Sequence, residues 1–130
     1  MSLQQRLDGL IKPHGGKLVK TLPAGAALAD ARKAAAGLPA LEITSREFGD
    51  LVMMGIGGFS PLDGFMKRAD WFSVCKNMTL ADGTFWPIPI TMSVGEADAR
   101  KLRRGQKVAL RYAKDVEPVS GTIVVDEVYE

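Results

Sequence analysis

Glycine and proline interrupt this sequence so often that long regular elements have little room in it. The chain has 14 glycines and 7 prolines among 130 residues. Together they make about 16 % of the chain, where ordinary proteins have about 12 % and low-complexity chains about 25–30 %. Because both residues favour turns, the composition predicts many short segments and favours short strands over a helix bundle.

Length and charge narrow the class of protein further. With 46 % apolar and 25 % charged residues, a chain of this size has the composition of one globular domain. The net charge of +2 is low for a dedicated nucleic-acid-binding domain, which concentrates basic residues on one face. The single cysteine, Cys75, excludes an internal disulfide and suits a reducing compartment.

Two features bear on the location of the protein. The first eight residues lack the apolar stretch of a secretory signal. The longest uncharged run, Gly83 to Gly95, has 13 residues and contains two prolines, whereas a membrane-spanning helix needs about 18 or more apolar residues. We therefore expect a soluble cytoplasmic protein without a membrane partner.

Helical patterns dominate the first part of the chain. The alanine-rich residues 26–36 favour a helix that ends at the following glycine and proline. Thr44 and Glu47 have the spacing of a capping box, which predicts the start of a second helix. Its apolar residues Phe48, Leu51 and Val52 share one face, and glycine 55 is placed to end it.

A third helix is predicted further along the chain. Asp70 is its candidate N-cap, and the segment continues through Cys75 to Met78. A buried, inert thiol is the favoured interpretation of Cys75, because the chain has no second histidine to activate it as a nucleophile.

In the second half of the chain, the spacing of the apolar residues changes from a helical pattern to one typical of strands. Apolar residues alternate with polar residues and proline over 88–94, which predicts an edge or bulged strand. Residues 96–104 favour a short helix capped by Gly105. Residues 107–112 and 122–129 are predicted strands, connected through a hairpin over 115–121. The expected fold class is therefore α+β.

The sequence contains no convincing catalytic constellation. Its glycine-rich stretch lacks the Walker spacing, and Ser60 stands where a dinucleotide-binding loop needs its third glycine. His14 is interpreted as ordering its loop by a hydrogen bond in preference to acting as a base or ligand. Asp82 is interpreted as a turn residue in preference to a substrate-site acid. The basic run over 101–107 is interpreted as a solvated helix end in preference to a phosphate site.

Three segments of the sequence are similar to one known family. They are Ile11-Lys12-Pro13-His14-Gly15-Gly16-Lys17-Leu18-Val19, Gly57-Gly58-Phe59-Ser60-Pro61-Leu62-Asp63-Gly64-Phe65-Met66 and Met78-Thr79-Leu80-Ala81-Asp82-Gly83-Thr84-Phe85-Trp86-Pro87-Ile88-Pro89-Ile90-Thr91. In this order they resemble the N-terminal domain of ATP sulfurylases (sulfate adenylyltransferases), and the strand and hairpin over 105–129 also follow the family pattern.

The resemblance implies a PUA-like pseudo-barrel of mixed strands with short peripheral helices. It also implies a parent enzyme that uses Mg-ATP and sulfate to form adenylyl sulfate and pyrophosphate. The family's catalytic motifs, Gln-x-Arg-Asn and His-x-Gly-His, lie in the following domain. This chain has one histidine and one asparagine, Asn77, so neither motif fits within it. We therefore expect no catalytic, cofactor-binding or metal-binding residue here.

The resemblance further implies that residues 1–130 are one N-terminal domain of a longer polypeptide, inactive alone. Its partners would be the catalytic domain of the same polypeptide and further copies in a homo-oligomer, with a PUA-type RNA-binding module as the alternative. Phe59, Phe65 and Trp86 are the expected packing anchors. The complete set of expected structural or interface residues is Phe59, Ser60, Pro61, Leu62, Gly64, Phe65, Met66, Asp82, Gly83, Trp86 and Pro87.

Overall fold

The computed structural model describes residues 9–113 and 119–130, which form four helices and one mixed sheet. After a 3₁₀ turn at His14–Gly16, the elements in chain order are α1 (Gly25–Ala35), β1 (Ala40–Ile43), α2 (Ser45–Ile56), α3 (Arg68–Asn77), the single turn α4 (Glu96–Ala99), β2 (Lys107–Tyr112) and β3 (Gly121–Val124). This arrangement of a mixed sheet with peripheral helices confirms the expected α+β class.

The sheet has the order β1-β2-β3, so β2 is its central strand. β1 pairs with β2 in parallel, with Ala40 opposite Ala109, and β2 pairs with β3 in an antiparallel register that places Lys107 opposite Val124. Because β2 has a neighbour on each side and apolar residues at its centre, Val108 and Leu110 are fully buried.

Two clusters of buried side chains form the interior. The first, which we call the sheet core, consists of Leu41, Ile43, Val108, Leu110 and Val125. The second, which we call the loop core, consists of Leu62, Met66, Val74, Leu80, Trp86 and Ile90. Phe65 packs against both clusters and therefore connects them.

The structure confirms the first two predicted helices and corrects the start of the third. Thr44 and Glu47 form both hydrogen bonds of the capping box. The C-cap of α2 is Gly57, with a φ of 85°, two residues beyond the glycine predicted to end the helix. α3 begins after Lys67, so Asp70 is not its N-cap. Asp70 lies in the first turn of α3 and accepts a hydrogen bond from Ala81 N at 2.8 Å, which ties the helix to the following loop.

The predicted strand over 88–94 is wrong, although its alternation has structural meaning. Pro87 and Pro89 have no N–H to donate to a ladder, and Ile90 pairs instead with Met66, whose N–H donates to Ile90 O at 2.8 Å. Ile90 is buried in the loop core, and Met92 and Val94 pack against the sheet core. The period of two therefore marks an extended segment that faces both cores without joining the sheet.

The strand predicted over 107–112 is confirmed with the same bounds, whereas the neighbouring helix and the last strand are correct in position but shorter than predicted. The helix over 96–104 is reduced to α4, and β3 ends at Val124, after which Val125 N donates to Gln106 O at 2.8 Å. The predicted connection over 115–121 falls largely on residues 114–118, which lie outside the described residues. Among the helices of the described ranges, none combines the length and apolar character needed to cross a bilayer.

Candidate functional site

The three segments that resemble the known family meet at one place in the structure. His14 Nε2 lies 2.6 Å from Phe85 O, which joins the first segment to the third. Gly15, with a φ of 69°, lies so close to Pro61 that an added Cβ would stand 2.6 Å from the proline Cγ. We call this meeting point the three-segment junction. His14 orders its loop there, as the sequence predicts.

Ser60 provides the polar connection inside the junction. Its hydroxyl is buried, accepts a hydrogen bond from Val19 N at 2.9 Å and donates one to Gly57 O at 2.7 Å. The peptide bond between Ser60 and Pro61 is cis. Because both backbone partners would otherwise lose a hydrogen bond, Ser60 holds the first segment against the end of α2.

Trp86 is the aromatic centre of the junction. Its ring is buried and meets Phe59 edge to face, with centroids 5.7 Å apart, while the His14 ring lies 6.0 Å away on a tilted plane. Trp86 N donates to Met78 O at 2.8 Å. Among the described residues, the indole N–H of Trp86 is the one buried side-chain polar group without a hydrogen-bond partner.

The loop before Trp86 is a tight turn around Asp82 and Gly83. Asp82 Oδ1 accepts a hydrogen bond from Thr84 N at 2.8 Å, and this bond holds the pKa of the Asp82 carboxyl below its ordinary value. Gly83 has a φ of 89°, a left-handed conformation that favours glycine. The turn places Trp86 inside and leaves Phe85 and Pro87 exposed.

Residues 62–66 pack the second segment into the interior. Leu62 and Met66 are buried in the loop core, whereas Gly64 and Phe65 are half-buried. Tyr129 OH donates to Met66 O at 2.8 Å, so the last residues of the chain also contact this segment. Burial raises the pKa of Tyr129, with Glu127 as a further cause.

A buried acidic network at the start of α2 is the feature that the sequence did not reveal. Glu47 is only 1 % exposed and accepts hydrogen bonds from Thr44 N at 2.8 Å and from Ser93 N at 2.7 Å. Burial raises the pKa of Glu47, but the bonds from Ser93 and Thr44 outweigh it, and the pKa lies below its ordinary value. The capping-box spacing identified the local bond and gave no sign of the distant Ser93.

Arg46 and Asp50 complete this network. Arg46 Nη1 donates to Asp50 Oδ2 at 2.9 Å, and Arg46 Nη2 donates to Thr91 O at 3.0 Å. Burial raises the pKa of Asp50 despite the nearby guanidinium. The network therefore fixes the extended residues 91–93 against α2, and its acids are engaged in packing.

The other candidate groups lie apart from the junction. Cys75 is exposed on α3, so the expectation of a buried thiol is wrong. The basic residues near α4 have local partners, in the pairs Arg100–Glu96, Lys101–Asp98 and Arg104–Asp126. Within residues 9–113 and 119–130, no group of three histidine, cysteine or acidic side chains is placed to hold a metal ion.

The geometry defines a small α+β domain whose loops are fastened to each other and to a mixed sheet. The sequence model of the PUA-like domain family matches residues 11–130. The chain therefore belongs to the PUA-like domain family.

Individual relatives match along nearly the whole chain. A sulfate adenylyltransferase of Entamoeba histolytica is 70 % identical over 130 residues, which are all of this chain and 31 % of that protein. One of Desulfovibrio desulfuricans is 56 % identical over 125 residues, which are 95 % of this chain and 29 % of that protein. This chain thus spans less than one third of the length of these curated relatives.

A solved structure has the same fold. It is described as a hexameric APS kinase from Thiobacillus denitrificans, and it matches with a TM-score of 0.67 and 36 % identity. The matching part covers 79 % of this chain and 21 % of that chain. In this structure too, the domain is a minor part of a longer polypeptide.

Proposed function

We propose that this chain is the N-terminal domain of a sulfate adenylyltransferase. The observation that carries the proposal is the 70 % identity over all 130 residues to a protein of that name. The parent enzyme would catalyse attack of sulfate on the α-phosphorus of ATP, which forms adenylyl sulfate and releases pyrophosphate. Such a transfer depends on cationic groups and Mg²⁺ to hold the polyphosphate.

In this proposal the domain supports assembly and takes no part in the chemistry. The junction residues Ser60 and Trp86 act by packing and hydrogen bonding, and the acids Glu47 and Asp50 are committed to structural contacts. The residues that bind Mg-ATP belong to another domain of the parent polypeptide. We place the enzyme in the cytoplasm and propose a homo-oligomer, in line with the hexamer described for the solved relative.

The test compares the 130-residue chain with the full-length protein in one assay. ATP formation from adenylyl sulfate and pyrophosphate is measured for both at equal molar concentration. We expect turnover by the full-length protein and none by the short chain. Turnover by the short chain would contradict the proposed division of roles, and an inactive full-length protein would contradict the parent activity.

The RNA-binding alternative is not favoured. Phosphate contacts need basic side chains free to replace counterions. Arg104 is paired with Asp126 at 3.4 Å, Lys101 with Asp98 at 3.4 Å, and Arg103 donates to Arg100 O at 2.7 Å. A titration with structured RNA at two salt concentrations checks this, because binding that weakens steeply with salt would restore the alternative.

A further inference from the structure

The helix α2 exposes an apolar face. Phe48, Val52 and Ile56 are 37 %, 46 % and 57 % exposed. They are spaced four residues apart, and an α-helix turns about 100° per residue, so the three side chains occupy one arc of about 80°. The apolar face that the sequence pattern predicts is real, but only Leu51 of the predicted set packs against a core.

The opposite face of α2 carries the polar residues and is buried. Glu47 and Asp50 belong to the acidic network described above. Met54, on the same face of the helix, is also buried. Asp50 is the only charged residue between Phe48 and Gly58. The outward face of α2 beyond the first turn is therefore uncharged, which reverses the usual arrangement of a helix on a protein surface.

Neighbouring segments extend this apolar surface at both ends. Tyr112 of β2 stacks on Phe48, with ring centroids 5.2 Å apart and planes at 19°, and is itself exposed. At the other end Leu22 is exposed beside Gly55, and Leu22 N donates to Gly55 O at 3.3 Å. We call the surface formed by Leu22, Phe48, Val52, Ile56 and Tyr112 the α2 face.

A comparison with α3 shows how the α2 face differs from a single exposed apolar side chain. Phe72 of α3 is also 57 % exposed, but it is a single apolar side chain beside charged ones. Lys76 Nζ lies 5.7 Å from the centre of its ring. Scattered apolar side chains of this kind are normal on monomers, whereas a continuous uncharged apolar patch marks an interaction surface.

We infer that the α2 face is the surface on which the rest of the same polypeptide packs, through an uncharged apolar surface of its own. This inference rests on the proposed function. The relatives keep this domain in one chain that is about three times as long, because the match covers 31 % and 29 % of them. A partner present on the same chain is always available, so the domain can keep an apolar face that would otherwise promote aggregation.

The test places a photo-crosslinking amino acid, p-benzoyl-phenylalanine, in the full-length protein. One variant carries it at Val52, and a matched variant carries it at Phe72, which is equally apolar and lies outside the α2 face. Equal amounts of ¹⁵N-labelled and unlabelled protein are unfolded in urea, mixed and refolded together before irradiation, so that any oligomer contains both labels. The crosslinked peptides are then identified by mass spectrometry. Peptide pairs of mixed label then report contacts between copies.

We expect crosslinks from position 52 to residues beyond 130 of the same copy, with a yield clearly above that from position 72. Crosslinks of mixed label would overturn the inference in favour of a second copy. A yield at position 52 no higher than at position 72 would overturn it in favour of a free surface.

A substitution gives a second measurement. Val52→Lys places a charge in the proposed interface, and Phe72→Lys places the same charge on the control site. In the full-length protein we expect amide exchange in α2 to accelerate about tenfold for Val52→Lys and less than about twofold for Phe72→Lys. Equal effects would contradict the inference. Both readouts are independent of turnover, so an inactive protein with the expected crosslinks would disprove only the proposed activity.

Discussion

The sheet core and the loop core bury similar numbers of apolar side chains in different ways. The sheet core is aliphatic, and the ladder of β1, β2 and β3 sets the positions of its residues. The loop core contains Trp86 and Met66, and separate contacts position its loops, such as the bonds of Ser60 and the pairing of Met66 with Ile90. The hydrogen bonds of a strand ladder are spread over many residues, whereas the position of each loop depends on the contacts of a few residues.

The largest effect that this comparison predicts is in the sheet core. Leu110 is fully buried on the central strand, so Leu110→Ala removes its packing and leaves a cavity with rigid walls. We expect a loss of about 4 kcal/mol in the free energy of unfolding of the 130-residue chain in urea. Val124→Ala on the exposed side of β3 is the control and should cost less than about 0.5 kcal/mol. Equal costs would show that the sheet core is not the main stabilising unit.

Phe65 tests whether the two cores are coupled. Because its ring is half-buried between both, we expect Phe65→Ala to cost about 2–3 kcal/mol, below the value of about 3–5 kcal/mol for a fully buried ring. Hydrogen exchange should accelerate in β2 and around Trp86 together. Phe85→Ala, which removes an exposed ring, is the matched control. A loss of protection confined to one core would contradict the coupling.

Glu47 links α2 to residue 93 and makes stability depend on pH. Its pKa is lower in the folded chain than the ordinary value of 4.5. The unfolded chain therefore binds the proton more tightly, so the stabilisation is complete above about pH 4.5 and is lost as the pH falls through the folded-state pKa. Glu47→Gln should cost about 2 kcal/mol at pH 7 and reduce the loss of stability below pH 4.5.

Asp50 provides the control for the sign of this effect. Its pKa is raised above 3.8 in the folded chain, so its contribution falls as the pH rises through that range. Asp50→Asn should therefore make the acid-induced loss of stability steeper, whereas Glu47→Gln makes it shallower. Urea unfolding between pH 3 and pH 7 measures both slopes, and slopes that change in the same direction would contradict the assignment.

The smallest predicted effect concerns the contact between the first segment and the second. Gly15 and Gly16 both have positive φ, but only at Gly15 would a Cβ meet Pro61. Gly16→Ala should cost about 1 kcal/mol for its backbone conformation alone. Gly15→Ala should cost about 1 kcal/mol more, because the first segment must move away from Pro61. Identical unfolding midpoints for the two variants would show that this contact contributes nothing to stability.

Local sequence patterns correctly predicted the elements that depend on interactions between residues close in the chain. The capping box of Thr44 and Glu47 correctly predicted a helix, and the β-branched and aromatic residues of 107–112 correctly predicted the strand β2. The strand over 88–94 failed because prolines remove ladder donors, and periodicity alone cannot show whether an extended segment finds a partner. Asp70 failed as an N-cap because α3 begins earlier, after Lys67, and its carboxylate instead bonds to Ala81, a contact that depends on the tertiary fold.

The residues of the candidate site could be identified from the family resemblance but not from the periodicity of the sequence. Nothing in the spacing of His14, Ser60 and Trp86 predicts that they meet, since their contacts join segments up to 71 residues apart. The likeness of the three segments to one family marked the same residues. Which face of α2 is buried could not be predicted from the sequence either. The burial of Glu47 depends on its hydrogen bond from Ser93, and no local pattern connects these two residues.

The parallel pairing of β1 with β2 requires a long segment of the chain to close into a loop. Ala40 and Ala109 are 69 positions apart in the chain, and the whole loop core, residues 62–90, lies between them. Closing so long a loop has an entropic cost that local contacts avoid. The loop core can collapse first and bring the two strands near each other. Phe65, which packs against both cores, lies where the closing sheet would then meet the loop core.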